Sequence, residues 1–290
     1  MTVTPAVEEE EGEEAEAPKK GLSFKFPPEE TELALMTGIP AAIIAILTGL
    51  PAVIKGVGLL LALLWGCDSV RKTSKYGLGT GVPSIGVLGT GYGVVGALMG
   101  LAVVGYGSNA RIGFYPAVLV GAIFMGIIGL VSGYFSNSEK FIAMKIPRLE
   151  RAMMELGMAG TLAMLLEFSI VTGTLEFHSV VDMVMETGVV AFMFVLTAFA
   201  MFHPYNACLG PDERRERTRM VSIEISGLIC IILGAAMLIL GTSPWGALWD
   251  GLSLVVFGAI VWVVFYRRFI KACMAECWET VGTGLIKTIG

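Results

Sequence analysis

SIGVLGTGYGVVGALMGLAVVGY, residues 84–106, runs for 23 residues without a charge. At 1.5 Å per residue a helix of that length is about 34 Å long, enough to cross the roughly 30 Å hydrocarbon core of a bilayer. Its glycines carry a second message. Gly89, Gly93, Gly96 and Gly100 follow a 4-3-4 spacing, which puts all four on one helix face. A face without Cβ atoms lets helix backbones approach closely, the small-residue packing of membrane bundles. Gly91-Tyr92-Gly93-Val94-Val95-Gly96 also matches the GxGxxG spacing of dinucleotide folds. That chemistry needs a preceding strand, a βαβ unit and an acid about 20 residues on. Here the match lies inside an apolar run, and Arg111 stands where the acid belongs. It reads as helix packing.

The rest of the chain has the same character. Of 290 residues, 55% are hydrophobic and 16% charged, against about 25% charged in a typical soluble domain. Mean hydropathy is +0.75. Eight apolar stretches follow one another, at about 33–53, 56–70, 84–106, 115–135, 153–174, 178–202, 221–241 and 245–266. The second is short, and a half-span paired with the glycine-rich segment behind it is the competing reading. Six or seven crossings therefore compete with eight. The segment 77–86, broken by glycines and Pro83, reads as a loop or a re-entrant turn. The fold class is an all-α, polytopic transmembrane bundle with glycine-rich, tightly packed helices.

Charge sets the expected orientation. Lys and Arg cluster at 19–25, 71–75, 140–151, 214–219 and 267–287, leaving Lys55 and Arg111 on the opposite side. The split of 18 to 2 follows the positive-inside bias and places both termini in the cytoplasm of a multi-pass cell-membrane protein. Three regions follow. Residues 1–32 hold ten acids against three lysines and form a largely disordered cytoplasmic tail. Residues 33–266 are the transmembrane helical domain, and 267–290 a cytoplasmic or interfacial C-terminal segment. No basic segment precedes an early apolar core, so no cleavable signal peptide is expected. EKFIAMKIPRLERAMMEL (139–156) and the tail from Arg267 interleave apolar and charged residues at near-helical spacing. Each suits either the headgroup level of the membrane or docking of a cytoplasmic partner.

Soluble-enzyme chemistry finds little footing. The five cysteines, 67, 208, 230, 273 and 277, have no disulfide framework and read as free thiols in a reducing compartment. His178 and His203 are the only histidines, and no His/Cys group has zinc-ligand spacing. Cys273 and Cys277 share a helix face without a third ligand nearby. No nucleophile–base pair, cofactor-binding segment or nucleic-acid-binding pattern is visible, so the chain is expected to bind no cofactor itself. Acids inside apolar spans are the informative exception, because ionisable groups in hydrocarbon are costly and commonly functional. Glu167 lies within LAMLLEFSIV, and Asp182 and Glu186 within VVDMVMETGVV. If these spans form a hairpin turning near 175–177, the three carboxylates reach similar depth, roughly 10–14 Å inside the outer face. Such a set suits a hard cation such as sodium. A solvated rim for Asp182 and Glu186, with a hydrogen bond between helices for Glu167, is the alternative. Glu224 and Asp250 sit nearer span ends.

WGCDSVRKTSKYGLGTGVPSIG (65–86) and HPYNACLGPD (203–212), with the pattern of spans, resemble the C-type component of the tetrahydromethanopterin S-methyltransferase of methanogenic archaea over about 33–270. The resemblance implies membership of a complex that passes a methyl group from methyl-tetrahydromethanopterin to coenzyme M, through a corrinoid held on a different component, coupled to sodium export. It implies a membrane scaffold assembled with D- and E-type membrane subunits and the corrinoid-carrying subunit. It transfers no catalytic residue, and the sodium-binding acid is more often sought on the E-type component. The competing function is a self-sufficient cation-coupled secondary transporter, which needs paired broken helices in two repeated halves. Thr172-Gly173-Thr174 and Thr187-Gly188 only faintly echo the break at 77–93.

Overall fold

The computed structural model describes residues 28–74, 81–107, 115–173, 175–208, 215–240 and 242–282. Within them lie nine helices and no strand: α1 (Pro28–Ile46), α2 (Ala52–Ser74), α3 (Gly81–Gly107), α4 (Tyr115–Asn137), α5 (Leu149–Thr172), α6 (Phe177–Thr187), α7 (Val189–Cys208), α8 (Arg215–Leu240) and α9 (Ala247–Gly282). Five of them contain segments long and apolar enough to cross a membrane: Ala52–Thr73, Val118–Asn137, Leu149–Thr172, Arg215–Leu240 and Ala247–Ala275. Shorter apolar segments, Glu32–Ile46, Leu88–Val103 and Val189–Pro204, lie in α1, α3 and α7. Each of the eight apolar stretches thus falls on helix, the sixth on two. Of the acidic tail, residues 1–27 lie outside the described residues, and 28–32 already belong to α1.

The core sits around α5. Its buried residues run almost unbroken from Leu149 to Val171, and 89% of its apolar window is enclosed, against 22% for α9. Helices α2, α3 and α4 wrap α5, while α8 and α9 pair and join the body through α2. Glycine makes the close approaches possible. A β-carbon built on Gly93 would lie 2.5 Å from the carbonyl carbon of Gly160, so α3 and α5 meet backbone to backbone. One on Gly89 would meet Leu156 at 2.8 Å, and one on Gly96 would strike Thr161 and Met125. Gly100 is buried on the same helix. Helices α8 and α9 repeat the device: Gly227 faces Gly258 and Gly234 faces Gly251, each pair approaching through a glycine carbonyl. In lipid, where apolar burial between helices gains little, such van der Waals contact is the main adhesive.

Several local expectations change. The short second stretch is a full helix, because the charges that trim its apolar run (Lys55, Asp68, Lys72) are buried by partners rather than solvated. Residues 81–86 begin α3 instead of forming a loop; residues 77–80 lie outside the described residues. Pro83 is tolerated there because first-turn N–H groups have no intrahelical acceptor to lose. The sixth stretch is two helices, α6 and α7, divided at Gly188 in left-handed conformation with φ 65°. Residues 138–148 are not helical: Ala143, Lys145 and Arg148 all have φ between 53° and 64°. At the C-terminus the apolar span and the charged segment after it form one continuous 36-residue helix, α9. Lys55, one of the two basic residues placed on the opposite side, is 3% exposed inside α2.

Candidate functional site

Two buried polar centres lie along α5. The first is at the end where α2 finishes and α5 and α8 begin, called here the basic end. Glu155 accepts hydrogen bonds from Lys72 Nζ (2.5 Å), Arg151 Nε (2.7 Å), Ser69 Oγ (2.7 Å) and Trp65 Nε1 (3.2 Å). Asp68 receives a two-pronged bond from Arg215, at 2.8 Å through Nε and 3.0 Å through its terminal nitrogen. Arg219 stands 3.5 Å from Asp68, and Lys72 3.9 Å. Lys72 therefore links the two carboxylates, and the cluster ties α2, α5 and α8 together. Both carboxylate side chains are nearly fully enclosed, and each has the cationic partners that a buried carboxylate requires. Arg151 and Glu155 were legible as a helical i,i+4 pair. The role of Asp68 was not, since its main partner lies 147 positions away; the only local signal was its i,i+4 spacing to Lys72.

The second centre is Glu167, 0% exposed in the C-terminal half of α5. Thr197 on α7 donates its hydroxyl to Oε1 at 2.9 Å, and Oε2 has no hydrogen-bond partner. Two residues on, the buried Ser169 hydroxyl is also unpartnered, while its carbonyl accepts Lys55 Nζ at 2.9 Å. Lys55 belongs to the end opposite the cluster. There Asp250 of α9 accepts the Ala52 backbone N–H (2.7 Å) and the Ser243 hydroxyl (2.7 Å), capping α2 from 198 residues away. Thr242 donates to the Val171 carbonyl, closing the C-terminus of α5. Thr197 was not singled out from sequence, and Lys55 was read only as a charge on the side opposite the basic clusters. A threonine in an apolar run and a lysine beside a loop show no partner until the fold brings α5 to them.

Asp182 and Glu186 stand elsewhere. Both are exposed on α6, while Glu167 is enclosed and bonded to Thr197. Their depth match rested on one continuous helix through 178–202, which the break at Gly188 interrupts. Helix α6 is preceded by Glu176, whose carboxylate accepts the Ser179 hydroxyl (2.6 Å) and backbone N–H (2.7 Å). These bonds favour the ionised form and hold the Glu176 carboxyl below its usual range. Glu224 is partly buried on α8. Cys67 and Cys230 are buried free thiols and Cys273 is partly exposed. No group of three or more His, Cys, Asp or Glu side chains with metal-holding geometry occurs among the described residues.

The profile of a family described as the C-type component of tetrahydromethanopterin S-methyltransferase matches residues 17–288. The chain belongs to that family. Relatives of the same description include those of Methanosarcina mazei, 35% identical over 80% of each chain, and Methanosarcina barkeri, 36% identical over the same shares. That of Methanothermobacter thermautotrophicus is 35% identical over 80% of this chain and 82% of the relative. As a C-type chain the protein is one component of a multi-subunit methyltransferase complex, so other subunits must contact it. The glutamate run at 8–16 lies upstream of the matched residues. Membership sets aside the self-sufficient transporter.

Proposed function

We propose that this chain is the bilayer-embedded scaffold of the complex in the cell membrane, and that it couples methyl transfer on other subunits to sodium movement. The observation carrying this reading is that Glu155 and Glu167 share one enclosed helix. Twelve residues of α5 separate them, about 18 Å along the axis. A displacement at the basic end, where cytoplasmic subunits would dock, moves Glu167 with it, because α5 is packed too closely along its length to bend independently. Glu167 then offers a sodium ion one carboxylate oxygen without a protein partner, beside a hydroxyl. Asp182 and Glu186, exposed on α6, would gather cations at the outer rim. The methyl-carrying corrinoid and the methyl-transfer site belong to other subunits, with D- and E-type membrane subunits packing on the apolar outer face of α9. Sodium is cargo here, not a resident cofactor.

The test is made on the whole complex in mild detergent and in liposomes. The tagged chain should co-purify with a corrinoid protein, seen by its visible absorbance. Glu167→Gln keeps the side-chain shape and removes the charge. The variant complex should assemble and transfer methyl groups, while sodium stimulation of the reaction falls at least tenfold. Sodium stimulation equal to wild type in an assembled Glu167→Gln complex would move the ion path to a different component.

A further inference from the structure

The loop between α4 and α5 is built to hold apolar side chains outward. Phe141 and Ile142 are 57% and 66% exposed, and Met144 is exposed beside them. A flexible loop would fold such residues back. This one is pinned. Asn137 donates to the Ile146 carbonyl and accepts the Ile146 N–H, both at 2.7 Å, and reaches Glu150 at 3.0 Å. Backbone bonds from Met144 to Ser136 and from Ala143 to Ser138 close it further. Ala143, Lys145 and Arg148 sit in the left-handed region that residues with a Cβ seldom adopt, and it takes such a clamp to keep them there. Gly129 and Gly133 seat α4 on the α5 backbone directly beneath. The loop is a rigid projection from a hairpin whose helices meet backbone to backbone.

What it projects into is marked by its surroundings. The exposed apolar stripe of α4 (Ile123, Ile127, Val131, Tyr134) runs straight into it. Phe135 stacks edge-on with Phe141 at 4.4 Å and with Tyr134 at 6.1 Å. Beyond the aromatics stand Lys140, Lys145 and Arg148, all exposed, against the single exposed acid Glu139. Aromatics followed by cations is the order of a membrane boundary, rings at headgroup level and charges among phosphates. Helix α9 repeats that order, with Trp262 and Tyr266 followed by Arg267 and Arg268. It also carries the exposed Trp249 toward its other end. Trp249 and Tyr266 are about 26 Å apart along the helix, close to the hydrocarbon thickness of a bilayer.

We infer that residues 138–148 form an interfacial anchor: Phe141, Ile142 and Met144 insert into the lipid surface at the basic end, and Lys140, Lys145 and Arg148 bind anionic headgroups. The anchor fixes the depth of α5, and with it the depth of Glu155 and Glu167. It rests on the reading that this chain spans a membrane, and the experiment separates the two. The complex is reconstituted in lipid discs of phosphatidylcholine with phosphatidylglycerol, with Cys208, Cys273 and Cys277 changed to serine. A spin label is placed at Phe141→Cys or, as a reference inside the bilayer, at Ile127→Cys. Collision with oxygen, which concentrates in lipid, is compared with collision with a water-soluble nickel chelate. The Phe141 label should favour oxygen at a depth of about 5–10 Å below the headgroups. With Lys140→Gln and Lys145→Gln it should shift toward water in discs containing phosphatidylglycerol and stay put in pure phosphatidylcholine. A Phe141 label reached mainly by nickel overturns the anchor, and one reached by neither reagent overturns it in favour of a covering protein partner. A depth indifferent to both lysines removes the headgroup contacts. If the Ile127 label is itself open to nickel, the membrane reading fails first.

Discussion

Glu155 is where one side chain carries the most structure. Its carboxylate gathers donors from two turns of α2 and one of α5, and Lys72, only 4% exposed at its side chain, relies on it. Removing one partner of a buried pair leaves the other charge in a poorly solvated place, at a cost of about 3–5 kcal/mol. Asp68, at 3.9 Å from Lys72, softens that cost without replacing a 2.5 Å bond. Glu155→Gln should therefore lower the thermal midpoint of the detergent-solubilised complex markedly. Adding Lys72→Met should restore part of the loss, because an apolar chain of similar length no longer needs the charge. If the double variant is as unstable as Glu155→Gln alone, Glu155 acts through Arg151 or Trp65 and not through Lys72. None of this was visible in the sequence beyond Arg151 and Glu155, because hydrogen-bond partners from separate helices leave no trace in spacing. Glu167 was visible, since an acid in a run of leucines has no cheap explanation in lipid.

Helices were the most legible level, and the reason is physical. A segment that crosses hydrocarbon must satisfy its own backbone and be apolar throughout, so composition reports it directly. What composition cannot report is a break that needs no polar run. The Thr187-Gly188 junction interrupts the sixth stretch with one left-handed glycine, and the α4–α5 loop replaces helical spacing with three left-handed residues held by Asn137. The glycine face of α3 was readable as packing, though not which helix it meets. The structure permits a sharp test of it. Gly93 and Gly91 lie two residues apart on one helix, yet a β-carbon on Gly93 collides with Gly160 backbone while one on Gly91 meets nothing within 4 Å. Gly93→Ala should destabilise by about 1–3 kcal/mol through overpacking, and Gly93→Leu should prevent assembly. Gly91→Ala should be neutral or gain up to about 1 kcal/mol from helix propensity. Thermal midpoints and co-purification of partner subunits measure both. Equal effects at the two sites would mean that α3 does not sit on α5 through this face.

Across the whole molecule, the side-by-side placement of the charged segments is fixed by bonds rather than by counting. Arg215 to Asp68 and Lys72 to Glu155 bring the end of α2 and the starts of α5 and α8 to one end. Lys55 to Ser169 and Asp250 to Ala52 gather the start of α2, the end of α5 and the start of α9 at the other. The positive-inside bias then predicts that the basic end faces the cytoplasm. Lys140 and His178 test this most economically, since both are exposed and α5 alone lies between them as a membrane-crossing helix. Thr218, in a basic segment, is unsuitable because it is buried. Cysteines placed at Lys140 or His178, with Cys208, Cys273 and Cys277 replaced by serine, are exposed to a membrane-impermeant maleimide on intact cells and on lysed ones. His178→Cys should react from outside, and Lys140→Cys only after lysis. The reverse pattern would keep the bundle and invert it, placing the ion cluster outside, where cytoplasmic docking could not move α5. Reaction of both from one side would be the graver result. It would mean that α5, the helix on which Glu155 and Glu167 are strung, enters and leaves the bilayer on the same face, and no rigid displacement along it could join the two.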